Sequence, residues 1–98
     1  MIMAFRVAGR NLLVAFMERH ADSVGPLQSW LKEAQTADWA SPADLKRRYP
    51  AASILADQRV VFNVKGNRYR LVVAVAYKAR VIRIVWLGTH AEYDRQRF

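Results

Sequence analysis

The chain has 98 residues, 53% of them apolar, and a formal charge of +8 from 16 Lys and Arg against 8 Asp and Glu. That is one domain with enough apolar material for a real core, and a charge balance that points to a polyanionic partner. The absence of cysteine excludes disulfides, thiolate metal sites and a thiol nucleophile, and two distant histidines make no metal site, so no cofactor is expected.

Met1 to Val7 is a short apolar run that ends at Gly9 and reads as a strand. Arg6 and Arg10 interrupt this N-terminal stretch, which is too short to span a membrane, so neither export nor membrane insertion is expected and a cytoplasmic location follows. From Arg10 to about His20, Leu13, Phe16 and Met17 recur at helical spacing, and His20 falls at the helix end, where it suits the helix dipole. Residues 21–26 form a turn, with Pro26 at the first position of the next helix. Leu27, Trp30, Leu31 and Ala34 then follow at i, i+3, i+4 and i+7, which places Trp30 in the core. Ser41-Pro42-Ala43-Asp44 opens a short basic helix that runs to Arg48 and is closed by Pro50.

After an extended lead-in at Ser53 to Leu55, the stretch Arg59 to Arg70 alternates strictly about Gly66-Asn67, a dipeptide suited to a tight hairpin turn. The predicted register pairs Lys65 with Arg68, Asn63 with Arg70, Val64 with Tyr69 and Phe62 with Leu71. Val60, Phe62, Val64, Tyr69, Leu71 and Val73 then share a core face, while Arg59, Asn63, Lys65, Arg68 and Arg70 share the other. A second tight loop at Lys78-Ala79 extends the meander through Val81 to Gly88. It pairs Val75 with Ile82, Val73 with Ile84 and Leu71 with Trp86, and adds Arg83 to the cationic face. No Asp or Glu occurs between Arg59 and Ala91, so nothing on these strands neutralises that face. The predicted fold is α+β, with N-terminal helices packed on one face of an antiparallel sheet and the basic face left open.

Extrapolating the same register brings Thr89 beside Arg68 and His90 to the Gly66-Asn67 turn. Strict alternation points His90 to the core side, but Gly88 can redirect the chain. An imidazole among cations that hold a phosphate is the equipment for metal-free RNA cleavage by the RNA's own 2′-hydroxyl. In this reading His90 transfers the proton; Lys65, Arg68 and Arg70 bind the phosphate and the charge that develops on it. Asn63 orients the substrate, Tyr93 stacks on a base or assists proton transfer, and Arg59 and Arg83 hold the RNA backbone. The competing reading keeps Lys65 and Arg68 as solubilising charges, packs Tyr93 in a terminal helix, and bridges Glu92 or Asp94 to Arg68 or Arg70.

Three stretches, PLQSWLKEAQTADWASPADLK, RVVFNVKGNRYRLVV and GTHAEYD, resemble the HigB family of toxins within the RelE-like mRNA interferases. The resemblance covers most of the chain. It implies a RelE-like α+β fold, endonucleolytic cleavage of mRNA on the ribosome with inhibition of translation, and neutralisation by a helix-turn-helix, HigA-like antitoxin through which alone operator DNA is bound. The site residues it implies are Asn63, Lys65, Arg68 and Arg70 from the hairpin, and His90 and Tyr93 from the ending. Two rival functions stand beside this one: a non-catalytic RNA- or ribosome-binding module that uses the same basic face, and a degenerate toxin acting as antitoxin partner and co-repressor.

Overall fold

In the computed structural model, residues 4–98 are described. The elements in chain order are β1 (Arg6–Ala8), α1 (Arg10–Arg19), a 3-10 turn (Ala21–Ser23), α2 (Val24–Thr36), α3 (Pro42–Arg48), β2 (Ser53–Ile54), β3 (Arg59–Val64), β4 (Tyr69–Ala76), β5 (Val81–Thr89) and α4 (His90–Asp94). The strands form one sheet in the order β1-β5-β4-β3-β2. It is antiparallel except at one edge, where β1 runs parallel to β5 with Val7 opposite Ile82. The expected first strand is thus shorter than Met1 to Val7; its first three positions lie outside the described residues.

The helices form where the apolar spacing places them. Gly9 precedes α1 at φ 84°, and a Cβ there would come within 3.0 Å of the Ile84 carbonyl oxygen, so glycine satisfies both the turn and the close approach to β5. Pro26 occupies the third position of α2 rather than the first, because the 3-10 turn runs directly into the helix. The missing N–H is harmless there, since the first four helical N–H groups have no intrahelical acceptor. Ser41 caps α3 by accepting from the Asp44 N–H at 3.3 Å, with Pro42 at the first helical position.

Leu13 and Phe16 of α1, Leu27, Trp30 and Ala34 of α2 and Leu45 of α3 bury themselves on one face of the sheet. They meet Val60, Phe62, Val64, Tyr69, Leu71, Val73, Val75, Ile82 and Ile84, the alternate residues of β3, β4 and β5. Each large side chain so buried contributes about 1.5–3 kcal/mol. Trp39 joins this core from the loop after α2, a position that lacks helical spacing and so carries no signal in the sequence pattern.

The β3–β4 register is the predicted one, with Phe62 opposite Leu71, Val64 opposite Tyr69 and Asn63 opposite Arg70. Arg68 N–H donates to the Lys65 carbonyl at 3.2 Å, which closes the turn around Gly66-Asn67. Lys65 itself takes a φ of 52°, so the strands end at Val64 and Tyr69, one pair short of expectation.

Between β4 and β5 the prediction holds for Val75 with Ile82 and Val73 with Ile84, and then fails. Val72 pairs with Trp86 and Leu71 with Leu87, because Val85 is an extra residue on β5. Such a bulge reverses which face every later side chain takes. Leu87 therefore packs against the core in place of Trp86, and Trp86 shares the opposite face with Val72 and Arg70.

Candidate nucleic-acid interface

The face opposite the helices has three rows. At one end Arg59, Ala74 and Arg83 lie side by side on β3, β4 and β5, with Ala8 of β1 beyond them. In the middle are Val61, Val72 and Trp86, of which the two valines are buried. At the other end Asn63, Arg70 and Gly88 are neighbours, and the Lys65–Arg68 turn projects beyond them. Arg59 and Asn63 are four residue steps apart on β3, about 13 Å of strand.

The bulge, rather than Gly88, decides where His90 goes. With parity reversed at Val85, the chain beyond Thr89 emerges on the Arg70 side of the sheet. His90 N–H donates to the Arg68 carbonyl at 2.9 Å, one residue further from the turn than the unbroken register places it. Gly88 instead makes room for an aromatic ring. A Cβ there would sit 2.3 Å from the Trp86 ring, so its absence lets that ring lie over the strand.

The ending from Thr89 forms α4 through a reciprocal cap. Thr89 Oγ1 accepts from the Glu92 N–H at 3.1 Å, and Glu92 Oε1 accepts from the Thr89 N–H at 2.8 Å. The bond to the Thr89 N–H, opposed by some desolvation, holds the Glu92 carboxyl below its ordinary range. Thr-His-Ala-Glu is the sequence signature of such a capping box. Glu92 is thereby committed to the helix start, and it does not bridge to Arg68 or Arg70.

Arg70 is the hub. It is 8% exposed, and its guanidinium donates to the Asn67 and Tyr69 carbonyls, both at 3.2 Å, and to Asn67 Oδ1 at 2.6 Å. Its Nη2 also lies 2.9 Å from His90 Nδ1. Arginine only donates, so Nδ1 is the acceptor and the neutral ring carries its proton on Nε2. That nitrogen faces Asp94 Oδ2 at 3.4 Å, one helical turn along α4. His90 is thus gripped from both sides, by Arg70 at one nitrogen and Asp94 at the other.

The remaining predicted residues are distributed unevenly. Lys65, Arg68 and Asn63 are exposed at the tip and edge of the same hairpin. Arg68 Nε stands 3.4 Å from Asp22 Oδ2, and Asp22 Oδ1 accepts from the Tyr69 hydroxyl at 2.5 Å. The Tyr69 bond, reinforced by Arg68 and Lys65, keeps the Asp22 carboxyl below its ordinary range, and the same bond pushes the Tyr69 phenol up. Arg59 is 3.7 Å from Asp57, and Arg83 is exposed at the far row. Tyr93 packs into an aromatic group, 6.1 Å from the Trp86 ring and stacked at 5.6 Å on Phe98. Among the described residues no cluster of three or more His, Asp or Glu is arranged to hold a metal.

Sequence reasoning missed Asn67 as a partner of Arg70, and Asp22 as the carboxylate reaching the hairpin from the α1–α2 connection. Asn67 carried a signal only as a turn residue. Asp22 carried none, because 47 residues separate it from Tyr69.

A family model, HigB_toxin, the RelE-like toxic component of a toxin–antitoxin system, matches residues 23–96, which include the α2 to α4 elements. The chain belongs to the HigB toxin family. As a RelE-like toxic component it implies an antitoxin partner, and the five-stranded α+β architecture is consistent with a RelE-like fold. Among curated proteins none matches the chain. No helix among the described residues is long and apolar enough to cross a membrane. In this HigB-family chain the match covers the hairpin, α4 and the α1–α2 connection from Ser23 onward, so both Arg70 and Asp94, the side chains that hold the His90 ring, lie within it.

Proposed function

We propose that this toxin is an endoribonuclease that cleaves mRNA, associated with the ribosome, and so inhibits translation. The observation that carries the reading is His90 held at Nδ1 by Arg70 and at Nε2 by Asp94, beside a hairpin tip bearing Lys65 and Arg68. In the free protein the one lone pair of the ring is occupied by Arg70. A phosphodiester lying on the tip competes for the same guanidinium hydrogen, and as Arg70 turns to the phosphate, Nδ1 becomes free to act as a base.

The reaction then runs without a covalent enzyme intermediate. His90 Nδ1 takes the proton of the ribose 2′-hydroxyl, the 2′-oxygen attacks the adjacent phosphorus, the 5′-oxygen leaves and takes a proton from water, and the hydroxide so formed takes back the proton that His90 carries. The products are a 2′,3′-cyclic phosphate and a free 5′-hydroxyl. Asp94 holds the Nε2 proton and stabilises the imidazolium, while Lys65, Arg68 and Arg70 face the charge on the phosphorane. Asn63 orients the nucleotide, Arg59 and Arg83 contact the backbone further along, and Tyr93 serves by anchoring α4. DNA lacks the 2′-hydroxyl and is spared. A helix-turn-helix antitoxin of the HigA kind, itself carrying the operator contacts, is the expected partner, and the cytoplasm is where mRNA and ribosomes meet the chain.

Defined mRNA incubated with and without translating ribosomes tests this. The wild type is expected to leave cyclic phosphate ends, His90→Ala to cut about 10²–10⁴-fold more slowly, and Asp94→Asn to lie between them. If the wild type cuts under neither condition the enzymatic reading falls, and a non-catalytic RNA-binding role replaces it.

A further inference from the structure

A cleft of about 210 Å³ opens between α2, α3 and β3 on the outer side of the hairpin. Its walls are the rings of Trp30, Tyr49 and Phe62, and its rim includes Asn63 and Lys65, two residues of the cationic hairpin. Trp30 is 6% exposed, and its Nε1–H is buried without a hydrogen-bond partner. One turn further along α2, Glu33 takes Arg48 at 2.5 Å and accepts from the Tyr49 hydroxyl, and the Arg48 guanidinium lies 4.7 Å over the Tyr49 ring. Burial and the Glu33 bond push the Tyr49 phenol up, so it remains a donor throughout the physiological range.

These features discriminate between occupants. Glu33 and Arg48 neutralise one another, and the phosphate-binding cation Lys65 sits at the rim rather than the floor, so a phosphate finds no unpaired cation inside. A flat, neutral, hydrogen-bonding ring matches the aromatic walls. Glu33 has lone pairs left after Arg48 and Tyr49 are served, and these accept from an amino group. A peptide is the weaker match, although β2 pairs with β3 only at Val60 and Val61 and so leaves the strand edge beside the cleft unpaired.

We propose that this cleft is a subsite for one unstacked nucleobase of the RNA lying on the hairpin, and that Glu33 favours a base with an exocyclic amino group. The proposal rests on the RNA-binding reading above and deepens it. The base inserts on the outer side of β3 while its phosphates follow Lys65 towards Arg70. Recognition of the nucleotide beside the cut is then spatially separate from proton transfer at His90.

Fluorescence anisotropy with short 2′-O-methyl oligonucleotides, which cannot supply the nucleophile, tests it. Wild type is expected to bind an adenosine oligonucleotide more tightly than a uridine one. Glu33→Gln should erase that preference. Ser29→Leu, on the exposed rim of α2 where leucine is compatible with the helix, should fill the cleft and weaken adenosine binding by about fivefold or more with an unchanged melting temperature. Lys65→Ala should weaken both oligonucleotides alike. If Lys65→Ala weakens binding while Ser29→Leu and Glu33→Gln leave every affinity unchanged, the subsite is refuted, the RNA reading stands, and the open strand edge is left to a peptide. If wild type binds neither oligonucleotide, the subsite falls together with the RNA reading.

Discussion

The two hairpin tips of the meander are built alike and partnered differently. Each is a four-residue turn ending in arginine, Lys65–Arg68 between β3 and β4 and Tyr77–Arg80 between β4 and β5. Each also contains a non-glycine residue at positive φ, Lys65 at 52° and Arg80 at 57°. At the second tip Arg80 donates to the Trp39 carbonyl at 2.8 Å and lies 5.1 Å over the Phe5 ring, and its own carbonyl accepts from the Arg6 N–H. That cation fastens the β1 edge and the loop after α2 to the sheet. At the first tip Lys65 has no ion-pair partner among the described residues, and Arg68 has the 3.4 Å contact with Asp22 and lies 6.0 Å over the ring of its neighbour Tyr69. Positive charge is common to both; what separates a structural cation from an available one is the set of groups that folding brings to it.

Exchanging the fates of the two tips breaks this comparison most directly. Lys65→Ala is expected to slow RNA cleavage by about 10²-fold with little change in melting temperature. Arg80→Ala is expected to cost about 2 kcal/mol in denaturant unfolding and to leave RNA affinity nearly unchanged. Equal effects of both substitutions on RNA binding would show that charge alone, not placement, matters. Next in size is Gly88→Ala. The added methyl displaces Trp86 and with it the aromatic packing of Tyr93, at about 1–3 kcal/mol, and it lowers cleavage by shifting α4. Unfolding and cleavage measured on the same preparation check that the two losses go together.

Thr89→Ala removes the side chain that starts α4 and is expected to cost about 1 kcal/mol. Its sharper readout is faster amide exchange of Glu92, while the Lys65–Arg68 turn is undisturbed. The smallest effect concerns Asp22. Its folded carboxyl titrates below the unfolded one, so its contribution is fully present above about pH 4 and is lost as pH falls through the lowered folded value. Asp22→Asn should therefore show a shallower fall in melting temperature on acidification than the wild type. A parallel fall in both proteins would mean that Asp22 does not tie the first tip to the α1–α2 connection.

Much of the sheet was legible because alternation is a local property. Asn63 opposite Arg70 and Val73 opposite Ile84 follow from turn residues and period-two patterning alone. The helices were legible for the same reason, from Leu27, Trp30 and Ala34 on one stripe and Ser41-Pro42 at a helix start. Legibility stopped at Val85. A bulge in a run of apolar residues leaves no trace in composition, since Val85-Trp86-Leu87 reads equally well in either parity. The buried state of Arg70 was hidden too, because its acceptors come from Asn67, its own neighbour's carbonyl and His90 on another element.

Contacts close along the chain are enough to specify the α+β order of elements, the hairpin with its cations on one side, and a titratable residue near its tip. Which way that residue faces, and what it touches, depends on the folded sheet. One unpaired residue at Val85 turns His90 to the cationic side, where Arg70 occupies one ring nitrogen and Asp94 the other. Parity along a strand is discrete: a single added residue moves every later side chain across the sheet, at a cost too local for any hydrophobic pattern to record.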